Sequence, residues 1–187
     1  YMSEFFNKSS KPSWAWLRES PTRMIAFGLG SGLAPFAPGT IGTLWAWAIG
    51  LIFFYGLELS PFESSIGLVA GFVIGVWVCG VTGQDLGHPD HGGMVWDEII
   101  AFWIIMTFVM PTSFWMQLLA FAIFRWLDAA KPGPIQVIDQ YFKTWQAHSR
   151  FEQKWELYIR GFGVMIDDIA AALATLVLLS VIYRVFL

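Results

Sequence analysis

Four apolar stretches dominate the chain, Ile41–Leu57, Ser65–Val81, Ile99–Leu127 and Ile169–Leu187. They follow neither the alternation of a half-buried strand nor the single stripe of a surface helix. Side chains apolar on every side call for apolar surroundings, and runs near or above the ~17-residue lower limit for crossing hydrocarbon identify those surroundings as lipid. Composition agrees: only 13% of the 187 residues are charged, against roughly 25% in soluble domains. The expected fold is all-α, a polytopic integral membrane protein of about five short membrane helices. Ile99–Leu127 is too long for one ordinary span, and Met110-Pro111-Thr112-Ser113 breaks it into a tight hairpin. Its limbs are short, so either the bilayer is thin there or the helices continue past Asp97 and Asp128 and carry those carboxylates to the interface.

The chain reads as one membrane domain over residues 1–187, with 1–23 as an interfacial N-terminal segment and a glycine-rich re-entrant or interfacial loop before the first span. No cleavable signal peptide is expected, because the first stretch is polar and aromatic. Residues 136–159 form a polar-aromatic insertion in which Phe142, Trp145, Ser149, Glu152, Trp155 and Ile159 recur at helical spacing. This suits an amphipathic helix on the cytoplasmic side, lying at the headgroups or packed on other loops. Lys8, Lys11, Arg18 and Arg23 precede the first span, and Lys131, Lys143, Arg150, Lys154 and Arg160 lie before the last. The turns at 58–64 and 111–113 hold no Lys or Arg. The positive-inside rule then puts the N-terminus, 84–98, 125–134 and 160–168 on the cytoplasmic face. A net charge of −3 with 11 scattered Lys and Arg gives no footprint for nucleic acid. Cys79 has no disulfide partner and reads as packing.

The polar residues gather in four blocks. Gly28 to Thr43 is rich in glycine and proline, and Thr40 and Thr43 stand before a helix, an arrangement suited to phosphate. A re-entrant loop without ligand is the bland alternative. Asp85, Asp90, His91, Asp97 and Glu98 come just before an apolar limb, where uncompensated carboxylates usually pair with cations or metal. Arg125, Asp128 and Lys131 recur at three-residue steps on one helix face, and two cations beside a carboxylate can clamp a phosphate or simply snorkel. Arg160-Gly-Phe-Gly leads to Asp167-Asp168, read as a loop feeding a helix whose two acids also serve as caps. Such oxygens, brought together, suit Mg2+, which keeps water and phosphate in its shell and polarises phosphoryl oxygens. A small cation transporter would place its carboxylates near mid-span, whereas these cluster at predicted span ends.

The segments GSGLAPFAPGTIGTL at 30–44, DHGGMVWDE at 90–98, FRWLDAAKPGPI at 124–135 and GFGVMIDD at 161–168 together resemble the phosphatidylglycerophosphatase A family of bacterial membrane lipid phosphatases. The resemblance implies Mg2+-dependent hydrolysis of the terminal phosphomonoester of phosphatidylglycerophosphate, giving phosphatidylglycerol, at the cytoplasmic face of a bacterial inner membrane. It implies Asp97, Glu98, Asp128, Asp167 and Asp168 as catalytic acids, with Asp97, Glu98, Asp167 and Asp168 holding metal. Thr40, Thr43, Asp90, His91, Arg125, Lys131 and Arg160 are then the candidates for binding substrate. Attack by water and passage through an aspartyl-phosphate both remain open. The chain departs from the family pattern where Arg160-Gly161 replaces a double glycine, where Ala101 replaces a frequent glycine, and where 143–158 looks like an insertion.

Overall fold

The computed structural model describes residues 11–57 and 60–186. The first ten residues of the predicted interfacial segment, Lys8 among them, lie outside the described residues, as do Glu58 of the predicted turn and Leu187 of the last run. The described residues are helical and contain no strand: α1 (Trp14–Arg18), α2 (Pro21–Ala26), a 3-10 segment (Gly28–Leu33), α3 (Pro38–Gly56), α4 (Pro61–Leu86), α5 (Trp96–Val109), α6 (Phe114–Ala130), α7 (Pro134–Thr144) and α8 (Arg150–Phe186).

Local chemistry sets most of these limits. At α4, Ser60 accepts from the Glu63 amide while Glu63 returns to the Ser60 amide, a reciprocal cap, and Gly87 closes the helix at φ 67. Ser113 caps α6 by accepting from the Met116 amide, without a return bond. The α5–α6 break falls at Met110 and Pro111, as the proline requires. The helices do continue past the acids: Asp97 and Glu98 sit in the first turn of α5 and Asp128 in the last turn of α6.

Among the described residues three helices, α3, α4 and α8, are long and apolar enough to cross a membrane. Their outer faces expose Ile52, Phe53, Val69, Val73, Val177 and Val181, surface that water disfavours and hydrocarbon accepts. The 14 residues of α5 reach only ~21 Å at 1.5 Å per residue. α5 is enclosed by its neighbours instead, with Ile99, Ile100, Phe102, Ile105 and Met106 buried. One core joins Trp47, Phe102, Phe124 and Ala172, and a second joins Phe27, Val78, Ile100 and Met165.

One expectation is overturned. The last helix does not start at Asp167-Asp168; α8 runs unbroken through 37 residues, so both acids lie in its interior and cap nothing. The glycines read as a loop serve a helix crossing. A Cβ on Gly161 would lie 1.9 Å from the Val76 carbonyl oxygen, and one on Gly80 2.4 Å from that of Leu157. α4 and α8 therefore meet backbone to backbone, as small residues permit in membranes. The 136–159 insertion is likewise two helical pieces, α7 and the first turns of α8, parted at 145–149.

Gly161→Leu is expected to lower the thermal midpoint of the purified protein sharply. Leaving glycine gains ~1 kcal/mol of helix propensity, but the added side chain meets a backbone oxygen, and overpacking costs ~1–3 kcal/mol or more. An unchanged midpoint would show that the α4–α8 crossing is looser than described.

Candidate active site

Glu98 from α5, Asp128 from α6 and Asp168 from α8 each direct one carboxylate oxygen into a space where these atoms lie within 4.8 Å of one another. Asp128 is 8% exposed and Asp168 3%. Arg125, one turn before Asp128, donates from Nη1 to Glu98 Oε1 at 2.9 Å and to Asp128 Oδ2 at 2.6 Å. Thr43 Oγ1 is 3.5 Å from the same nitrogen. Gly39 makes room for this: a Cβ there would lie 2.0 Å from Glu98 Oε1, so only glycine lets the carboxylate approach the first turn of α3. The positive end of the α3 dipole then faces that carboxylate.

Three acids against one arginine leave negative charge in a buried place, and two oxygens, Glu98 Oε2 and Asp168 Oδ2, have no hydrogen-bond partner. An unmatched buried acceptor costs ~1–3 kcal/mol, and more when charged. Hard carboxylate oxygens presented together in this way fit a divalent cation such as Mg2+.

A second group adjoins the first. Lys131 donates to Asp167 Oδ2, and to Asp139 Oδ1 at 2.7 Å. Lys143 reaches Asp139 Oδ1 at 2.8 Å and Asp90 Oδ2 at 3.0 Å. Burial pushes the Asp139 carboxyl up, but hydrogen bonds from Lys131 and Lys143 outweigh it and hold the group below its ordinary value. Lys131 itself adopts a left-handed backbone, φ 43, at the end of α6, a conformation costing ~1–2 kcal/mol in L-residues. The two carboxylates that grip its ammonium stabilise that turn.

The four acids expected to hold metal are thus divided. Glu98 and Asp168 join the three-oxygen group with Asp128, while Asp167 turns to Lys131 and keeps Oδ1 unpartnered. Asp97 accepts from the Glu98 amide at 2.9 Å and lies within electrostatic reach of Glu98, Asp167 and Asp90. Thr40 and Thr43 do not precede a helix, because α3 begins at Pro38 and they occupy its first turns. The Thr43 hydroxyl is spent on the Gly39 carbonyl at 2.8 Å. His91 accepts from the Gly93 amide through Nδ1 and packs on Phe27. Burial, then the neighbouring His88, lowers its pKa and favours the neutral ring. Asp85 is drawn away to Arg23 at 2.8 Å. Arg160 binds Glu156 through Nε and Nη2. The sequence reading omitted Asp139 from the site, although its four-residue spacing from Lys143 was a usable signal.

The sequence model of one family, phosphatidylglycerophosphatase A, matches residues 24–183. The chain belongs to the phosphatidylglycerophosphatase A family. Two curated relatives carry the same name. The chain is 39% identical over 154 residues to the Escherichia coli K12 protein, covering 81% of this chain and 77% of that one. It is 34% identical over 165 residues to the Haemophilus influenzae protein, covering 88% and 90%. A Bacteroides thetaiotaomicron protein, provisionally named a phosphatidylinositol-3-phosphatase, is 30% identical over 165 residues, covering 84% and 91%. No solved structure matches the chain. Membership makes this all-helical protein an enzyme of a lipid phosphatase family, and the four polar blocks fall inside the matched region.

Proposed function

We propose that this phosphatidylglycerophosphatase A family member hydrolyses the terminal phosphomonoester of phosphatidylglycerophosphate in a Mg2+-dependent reaction that yields phosphatidylglycerol and phosphate. The observation that carries the reading is the meeting of Glu98, Asp128 and Asp168 from three helices, with two unpartnered oxygens beside Arg125. Glu98, Asp128 and Asp168 would hold the cation, which when bound polarises phosphoryl oxygens and acidifies water. Arg125 presents a guanidinium fixed between two carboxylates, suited to a phosphoryl oxygen that gains charge as the bond to glycerol lengthens. Lys131, gripped by Asp139 and Asp167, supplies a second cation to the same anion. In direct hydrolysis the water oxygen bonds to phosphorus, the glycerol oxygen leaves with its electron pair, and the proton lost by water balances the one that oxygen gains.

The apolar faces of α3, α4 and α8 support residence in a membrane. We infer that the short α5 and α6, enclosed beside α3, α4 and α8, bring the spans to five, and the placement of Lys and Arg supports a site at the cytoplasmic face of a bacterial inner membrane. The provisional name of the Bacteroides thetaiotaomicron relative favours a second reading, a different headgroup phosphomonoester at the same site.

The test is phosphate release by the purified chain from phosphatidylglycerophosphate, phosphatidylinositol 3-phosphate and phosphatidic acid in mixed micelles. Phosphatidylglycerophosphate is expected to turn over fastest. Chelation should reduce the rate at least ~100-fold, comparable to losing a principal electrostatic group, and added Mg2+ should restore it. Faster release from either other lipid sinks the substrate assignment, and full activity in chelator sinks the metal.

A further inference from the structure

Lys131 is held more closely than a residue at a helix end needs to be. Its ammonium has three N–H groups, and two are committed, one to Asp167 of α8 and the other to Asp139 of α7 at 2.7 Å. The third has no acceptor among the described residues. The same ammonium lies within electrostatic reach of Asp168, which faces the three-carboxylate space. Two acceptors on separate helices fix where the ammonium sits, whereas the flexible four-carbon stem could swing it around a single partner.

Asp139 is itself set in place by packing. Ile135, Asp139 and Phe142 recur at i, i+4 and i+7, so they share one face of α7, and Ile135 is buried there. Phe142 meets α8 where a Cβ on Gly163 would lie 2.5 Å from the Phe142 Cβ, and its ring packs edge-on against Phe162 at 5.7 Å. A carboxylate on such a face is costly unless paired, yet the local charge balance does not call for this one. Lys131 and Lys143 meet three acids, Asp90, Asp139 and Asp167. Without Asp139 each lysine would still keep an acid, Asp167 for Lys131 and Asp90 for Lys143. What Asp139 adds is the second point of attachment on Lys131.

We propose that Asp139 is a positioning residue that acts through Lys131, holding its ammonium so that the uncommitted N–H meets an oxygen of the phosphomonoester. This deepens the proposed function and rests on its placing of Lys131 at the phosphate. Removing Asp139 takes a negative charge away from the neighbourhood of an anionic substrate, which by charge alone favours binding. The loss should therefore fall on kcat, as it does when a reacting partner is misplaced, with KM level or lower.

The experiment compares the parent, Asp139→Asn, Lys131→Met and the double variant as purified full chains. Phosphate release is followed on whichever of phosphatidylglycerophosphate, phosphatidylinositol 3-phosphate and phosphatidic acid the parent turns over fastest. Asp139→Asn should lower kcat at least ~10-fold, toward the ~100-fold that a misplacement of ~1 Å can cost, without raising KM. In the Lys131→Met background the same change should cost less than about twofold, because residues that act as a unit are not additive. Reductive methylation read by mass spectrometry gives a measure apart from turnover, and Lys131 should label several-fold faster in Asp139→Asn. The thermal midpoint should stay near the parent's, since each lysine keeps an acid, and Asp139→Glu, which keeps the acceptor, should retain most of kcat. Undiminished kcat in Asp139→Asn, an equal loss with and without Lys131, or unchanged labelling overturns the positioning role. A collapse of the fold shared by Asp139→Asn and Asp139→Glu would make Asp139 structural and overturn it too. A parent that prefers another of the three lipids would remove the proposed substrate and leave the Asp139 test intact. One that hydrolyses none removes the reaction and this role together, leaving only the hold on Lys131 that labelling reads.

Discussion

Asp168→Asn is expected to reduce phosphate release at least ~100-fold, in the range seen when a group that stabilises charge in the transition state is removed. The substitution keeps the volume of a side chain that is 3% exposed but takes away one of the two unpartnered oxygens beside Arg125. A cation that binds the folded protein stabilises it by mass action, ~2.7 kcal/mol at a hundred times its dissociation constant. The parent should therefore melt higher with added Mg2+, and Asp168→Asn should lose most of that increment. Without divalent ion the variant should be at least as stable as the parent, because one of three crowded negative charges is gone. Undiminished turnover, or a Mg2+ increment as large as the parent's, would remove Asp168 from the cation site.

Arg125→Gln should damage both folding and activity. Its guanidinium is the cation that contacts Glu98 and Asp128, and breaking a buried ion pair by removing one partner costs ~3–5 kcal/mol. A lower thermal midpoint and a loss of kcat/KM of about 100-fold are expected. Two roles are tangled in that result, and a second change separates them. Arg125→Gln combined with Asp128→Asn removes an acid along with its cation, so part of the lost stability should return while activity stays low. Recovery of turnover in the double variant would mean that Arg125 serves only the fold.

Much of this arrangement was legible in the residues, for reasons that can be traced. Pro111 had to divide the long apolar run, and Ser113 was at hand to start the next helix. Limb length left two choices, a thin bilayer or an extension of α5 and α6 beyond their apolar limbs, and the structure takes the second, which delivers Asp97, Glu98 and Asp128 to one end of the bundle. The start of α8 was not legible. Glycines ahead of two aspartates give the same signal whether they form a loop before a helix cap or let two helices cross at close range. Only the position of Val76 against Gly161 decides between them, and that is a tertiary fact. The split of the acids was hidden in the same way. Asp139 gains its place by gripping Lys131, eight residues away around a left-handed turn, a partnership no helical spacing encodes.

The unbroken course of α8 has a mechanical consequence. Neighbouring residues on a helix point about 100° apart, so one rigid rod sends Asp168 toward the three-carboxylate space and Asp167 toward Lys131. Its rotational phase is keyed by the Gly161 contact with Val76, about two turns away. Lengthening or shortening the rod by one residue between the key and the acids would turn both side chains off their partners together, whereas length changes before Arg150 leave that phase untouched.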